Sequence, residues 1–248
     1  LGENAGPVEQ HAAREMAKFL GKISGGAAPE ISSRPVAGKH PVILSFTDDE
    51  NVQLEGFCID VRENALHISG RKPIGILYGV YEVLKKHGGI RWLIPGEDGE
   101  YFTVKPSITV PLGRTIKNPD FKFRDISKVC MSPSSYIIDT WDWLVRNNGR
   151  MTELSYVINN PKNRQALIER GAISYGGGHS FSPLLHGTFL EKGLKPGEAK
   201  AKQDQLFAEH PEYFPLINGK RVMTRDGGVN PQPCTSNPEV IDIFAKNI

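Results

Sequence analysis

Residues 75–111, GILYGVYEVLKKHGGIRWLIPGEDGEYFTVKPSITVP, decide how this chain is read. The stretch opens as an amphipathic helix carrying small residues and tyrosines on one side, and it stops at Gly88-Gly89. It then runs into the apolar strand Ile90-Arg91-Trp92-Leu93, turns at Pro95-Gly96, and closes through short strands at residues 101–104 and 108–110. The expected helix covers residues 74–87.

The flanking sequence completes a domain around that helix. Pro7 starts an earlier one, with Val8, Ala12, Met16, Phe19 and Leu20 at three- and four-residue spacing and a glycine-rich end near residues 21–26. Strand patterns follow at residues 41–46, 56–61 and 65–69, and Arg62-Glu63-Asn64 between the last two is a hairpin-length connection. A sheet with two helices inside about 110 residues is an α/β sandwich domain over residues 1–113.

Beyond Lys117 the texture changes. Asn118-Pro119-Asp120 breaks the chain, and strand patterns at 121–127, 151–158 and 172–175 alternate with helical ones at 139–146 and 163–170. A loop Gly176-Gly177-Gly178-His179 and a helix over 196–209 follow, with 187–202 the most linker-like stretch. Alternation of this kind is the pattern of a parallel α/β array. Residues 114–248 hold about half of a (β/α)8 barrel, since a whole one takes about 250 residues. The expected fold class is therefore α/β: a small sandwich domain, then the first part of a TIM-like barrel.

Composition narrows the function classes. An apolar fraction of 39% with 23% charged residues describes an ordinary globular chain with a full core. The net charge of +2 is scattered rather than blocked, which excludes a polyanion-binding signature and makes nucleic acid a poor partner. No apolar run approaches the roughly 20 residues that span a membrane. Cys58, Cys130 and Cys234 are too far apart for a zinc pair, and Cys58 sits in a strand pattern as a buried thiol. The chain starts at Leu1 without signal-peptide regions, and a helix capped by Asn237-Pro238 reaches Ile248 without a glycine stop. Both ends are expected to be those of a piece of a longer protein.

Three groups of residues carry a resemblance to one family. They are Tyr78-Gly79-Val80-Tyr81 with Gly88, Arg91-Trp92 and Pro95-Gly96; Gly177-Gly178-His179-Ser180-Phe181; and His210-Pro211-Glu212-Tyr213-Phe214 with Asn218-Gly219-Lys220-Arg221 and Cys234-Thr235-Ser236-Asn237-Pro238-Glu239. In this order the chain resembles the bacterial family called domain of unknown function 4838. That family's barrel is similar to glycoside hydrolases, and its leading domain to those of family 20 hexosaminidases and family 67 α-glucuronidases. The resemblance implies a carbohydrate-active protein, a hexosaminidase- or glucuronidase-like glycoside hydrolase in polysaccharide degradation, periplasmic or extracellular. It also implies a site at the C-terminal ends of the barrel strands, with acid and base carboxylates on later strands than this chain contains. The alternative is a non-catalytic glycan-binding or scaffold protein that keeps the hydrolase architecture.

Glycoside hydrolysis needs two carboxyl groups flanking the scissile bond, and no such pair stands out. Arg124 and Asp125 alternate across a strand, so at most one points inward. Arg124 is the expected contact for a hydroxyl or carboxylate, which suits its planar fork. His179, after three glycines beyond a strand, is the second expected substrate contact, able to donate to a hydroxyl or carry a proton near neutrality. Tyr213 is the third, as a sugar platform, set against the plainer reading in which His210–Phe214 packs its loop. His210 and Glu212 lack a third zinc ligand, so no metal and no cofactor are expected. Trp141 and Trp143, two apart on a helix, read as core, and Arg146, Asn147, Asn148 and Arg150 as capping and turn residues. Gly176–Gly178 lacks a following phosphate-loop Lys, and no serine sits in a G-x-S-x-G elbow.

Overall fold

The helix of the opening stretch forms, and it is more central than an amphipathic reading allows. In the computed structural model α2 spans Pro73–Val83, and every residue from Gly75 to Val83 is buried. It therefore has no solvent face: a sheet lies on one side and α1 (Pro7–Ser24) on another. Glycines make that position accessible. A Cβ at Gly79 would run into Ile68 and Phe57 of the sheet, and one at Gly75 into the backbone at Gly56. The helix ends in a π-helical turn, Leu84–Gly88, closed by Gly89 at φ 81°.

The residues described are 1–36, 38–121, 124, 137–150, 152–154, 161, 163–175, 184–185, 196–223 and 232–247. They fall into two compact units, Leu1–Gly176 and Gly177–Ile248. In the first, β1 (Val42–Phe46), β2 (Phe57–Arg62), β3 (Ala65–Gly70) and β6 (Gly113–Lys117) form a mixed sheet in the order β1-β3-β2-β6. β1 runs parallel to β3; β2 is antiparallel to β3 and β6. Arg62 opposite Ala65 makes the β2–β3 hairpin a two-residue turn. Cys58 is buried in β2, as its strand pattern predicts.

Two strand expectations change. No strand forms at 108–110, because Pro106 and Pro111 bracket it and prolines cannot donate to a ladder. Ile108 and Val110 still turn inward against the core. The sheet's last strand is β6, whose mostly exposed Gly-Arg-Thr-Ile-Lys sequence carries little apolar alternation. The strand expected at 101–104 shrinks to β5 (Glu100–Tyr101), which pairs with β4 (Arg91–Trp92).

α3 (Ile137–Arg146) and α4 (Arg164–Glu169) also pack in the first unit, and β7 (Thr152–Leu154) runs parallel to β8 (Ile173–Tyr175) with α4 between them in sequence. That is a single βαβ unit.

A charged cluster is enclosed between α1, α2 and α3. The Arg146 guanidinium donates to both Glu15 oxygens at 2.8 and 3.1 Å, and the Tyr81 hydroxyl donates to Glu15 at 3.1 Å. Arg146 also lies over the rings of Phe19 (5.0 Å) and Trp92 (5.7 Å). The Trp92 carbonyl accepts from the Trp143 indole at 3.1 Å and from the Asn147 amide at 3.0 Å. Trp92 therefore ties the β4–β5 pair to α3 and its C-terminal turn. Trp141 is fully buried and core, as read from the sequence.

In the second unit α5 (Pro196–Glu209), the hairpin β9 (Leu216–Ile217)–β10 (Lys220–Arg221) and α6 (Pro238–Asn247) surround a small core of Leu184, Leu185, Tyr213, Phe214, Val240 and Phe244. Asn218 at φ 50° and Gly219 at φ 77° make the hairpin turn. Asn237 Oδ1 accepts the Glu239 N–H at 2.9 Å, the helix cap expected from Asn-Pro. No helix among the described residues is long and apolar enough to cross a membrane.

Candidate functional site

Of the three expected contact residues, Arg124 sits in a cleft, Tyr213 is enclosed, and His179 lies outside the described residues, as do Asp125 and Cys130. The Arg124 cleft has a volume of about 530 Å³ and is built where the sheet meets the turn after α3. Phe57 opens β2 and Glu55 lies two residues before it, Tyr78 comes from α2, residues 116–121 from the end of β6 and the stretch after it, and Asn148 from the turn. Asn148 at φ 62° fits the turn role read from the sequence.

The polar side of the cleft is a bridged set. Arg124 Nε donates to the Asn148 carbonyl at 2.9 Å, Nη1 to the Phe121 carbonyl at 2.6 Å, and Nη2 to Glu55 at 2.7 Å. The other Glu55 oxygen faces Arg150 at 3.2 Å. At most two of the five guanidinium N–H groups thus remain for a ligand. Beneath them the Tyr78 ring lies 5.5 Å from Arg124, and its hydroxyl donates to the Gly149 carbonyl at 2.8 Å. Burial pushes the Tyr78 phenol up to about 12, so it stays a neutral donor.

The other wall is apolar and open. Phe121 is 72% exposed at the cleft, an aromatic face free for an apolar partner. Lys117, paired with Glu82 at 2.6 Å, and the exposed Asp120 complete the rim. Rings on one side and convergent donors and acceptors on the other suit a small polar ligand with an apolar face. Glu55 itself is held by guanidinium groups at both of its oxygens and is not free to act as an acid or base. Glu55 and Phe121 were not singled out from the sequence; Phe121, three residues before Arg124 in FKFR, was the available signal.

Tyr213 occupies a different setting. Its hydroxyl donates to Glu239 at 2.7 Å, which raises the phenol to about 12, and the His210 ring stacks on it at 4.6 Å. Only 6% of the residue is exposed. This setting fits the loop-packing reading of His210–Phe214 better than the sugar-platform one. His210 Nδ1 lies 3.0 Å from Glu212, and no three potential ligands gather into a metal site among the described residues. Nearby, a hydrogen bond with Ser236, helped by Arg221, draws the Cys234 thiol below its ordinary range.

No family model matches the chain. A search of curated proteins finds no match either. Among solved structures, the chain is similar to a family GH115 4-O-methyl-α-glucuronidase with specificity for decorated arabinogalactans, with a TM-score of 0.54 and 12% identity over 99% of this chain. A Flavobacterium johnsoniae chitobiase also matches, with a TM-score of 0.43 and 15% identity over 99% of this chain. The chain spans 38% of the length of each of these structures. At such identity the first likeness speaks for the fold alone: this chain shares its fold with part of that glucuronidase.

Proposed function

We propose that this chain is part of a carbohydrate-active protein, a glycoside hydrolase of the hexosaminidase or glucuronidase kind, and that its Arg124 cleft contacts the sugar. The observation that carries the reading is the pairing of the exposed Phe121 ring with the Arg124–Asn148 donors and acceptors in a cleft of about 530 Å³, on a glycoside-hydrolase fold. The apolar face of a pyranose would lie on Phe121, and its hydroxyls or carboxylate would meet the remaining Arg124 N–H groups. In this reading residues beyond β6 begin a TIM-like barrel, and His179, which lies outside the described residues, remains a proposed further sugar contact. A periplasmic or extracellular setting follows from polysaccharide-derived substrates.

A second reading, glycan binding without cleavage, is favoured by the engagement of both Glu55 oxygens. Incubating the whole protein to which this chain belongs with aryl α-glucuronides and N-acetyl-β-hexosaminides, alongside calorimetric titration with the free sugars, separates the two. Release of aryl alcohol supports the hydrolase. Saturable binding without release supports the glycan binder, and neither outcome with any sugar sinks both.

A further inference from the structure

Among the described residues, no strand pairs with the outer edge of β1, the sheet's first strand. The Leu66 N–H donates to the Pro41 carbonyl at 3.0 Å, and the Thr47 N–H to the Gly70 carbonyl at 3.1 Å. With Val42 opposite Leu66 and Phe46 opposite Gly70 in parallel register, these bonds fix the phase of the ladder. Residues 41, 43, 45 and 47 face β3, so the N–H and C=O groups of Val42, Leu44 and Phe46 point away from the sheet. None of them makes a backbone bond among the described residues.

A groove of about 600 Å³ runs along that edge. Its roof is the α1 face of Ala13, Met16, Ala17 and Leu20, and its floor includes Val42 and Leu44. Phe46 is 56% exposed at the strand's end, and Ile31 (44%) and Val36 (46%) are exposed on the loop forming the far wall. The rim carries Lys39, His40 and Arg34, the last facing Glu3 at 3.6 Å, against Glu30 in the lining.

We infer that this edge is a docking site for an extended polypeptide strand, with alternating apolar residues and acidic flanks, that adds to the sheet beside β1. Three outward pairs of backbone groups repeating every second residue match an extended backbone and nothing more compact. A five-residue strand such as β1 is about 17 Å long, so an added segment of similar length would line the whole edge. Every other side chain of that segment would sit beneath α1, and acidic flanking residues would meet the basic rim.

The test uses a fluorescent eight-residue peptide of alternating valine and threonine with glutamate at each end, titrated into the full chain. Two analogues carry N-methyl groups on one or the other alternate set of amides. Expected is saturable binding, weakened about tenfold or more by one set and little changed by the other, since only one set donates to β1. Exchange of the Val42, Leu44 and Phe46 amides should slow on binding. Val42→Pro removes one outward donor without touching the bonds to β3, and it should weaken binding while leaving the circular dichroism unchanged. Equal binding of both methylated peptides, no binding of the parent peptide, or a concentration-dependent dimer that Val42→Pro abolishes would each overturn the inference.

Discussion

Replacing Glu15 with alanine should cost the first unit more stability than any surface substitution. The Glu15 side chain is 7% exposed and the Arg146 side chain 6%, so neither charge has water to fall back on. The substitution removes the paired contacts at 2.8 and 3.1 Å and the acceptor of the Tyr81 hydroxyl. Arg146 is left with Asp142 at 3.5 Å and Glu100 at 3.8 Å, both too long to replace them. Burial holds the Tyr81 phenol well above its ordinary range, so the hydroxyl stays an unsatisfied buried donor. Breaking a buried pair from one side costs about 3–5 kcal/mol. For a unit of this size that lowers Tm by about 6–20 °C. Differential scanning calorimetry of wild type, Glu15→Ala and the double variant Glu15→Leu/Arg146→Met measures it. The double variant should recover most of the loss, because well-packed apolar side chains replace such pairs at little cost. A shift below about 2 °C for Glu15→Ala would refute the view that this cluster fastens α1 to α3.

Three further outcomes follow from the same structure. Burial lowers the His11 pKa below its ordinary 6.5, so the unfolded chain takes up this proton first as pH falls. Stability should decline from about pH 6.5 downward, and His11→Gln should flatten that decline in urea midpoints measured between pH 7.5 and 5. Gly79→Ala should destabilise by about 1–3 kcal/mol through its clash with Ile68, where the same change on a free helix face would stabilise; a raised urea midpoint would contradict the close packing of α2. Tyr213→Phe should cost about 1 kcal/mol through the lost bond to Glu239 without altering sugar binding, and a changed sugar affinity would reinstate the ring as a ligand.

Most of the first unit was legible because its elements carry their own patterns. Pro7 with the Val8–Ala12–Met16–Phe19 spacing gave α1, and in the second unit the Asn237 cap gave α6. β6 was not legible: an edge strand with exposed side chains needs no apolar alternation, and its pairing with β2 is a tertiary fact. The full burial of α2 was hidden too, since its small and aromatic residues read as one stripe until α1 and α3 close over the rest. Arg124 was chosen from its type and its place at the end of the expected strand over residues 121–127. Its partner Glu55 lies 69 residues away and joins it only through folding. The neighbouring Asn148 turn joins them the same way, across 24 residues.

Calorimetric titration of the chain with glucuronate and N-acetylhexosamines, comparing wild type with Phe121→Ala, tests the central claim most directly. Phe121 is 72% exposed, so its removal should leave thermal stability unchanged. Saturable binding, weakened about 2–10-fold by the loss of the ring, is the predicted result. Absence of binding by the wild type, or binding that Phe121→Ala leaves untouched, would place the sugar elsewhere and contradict the account.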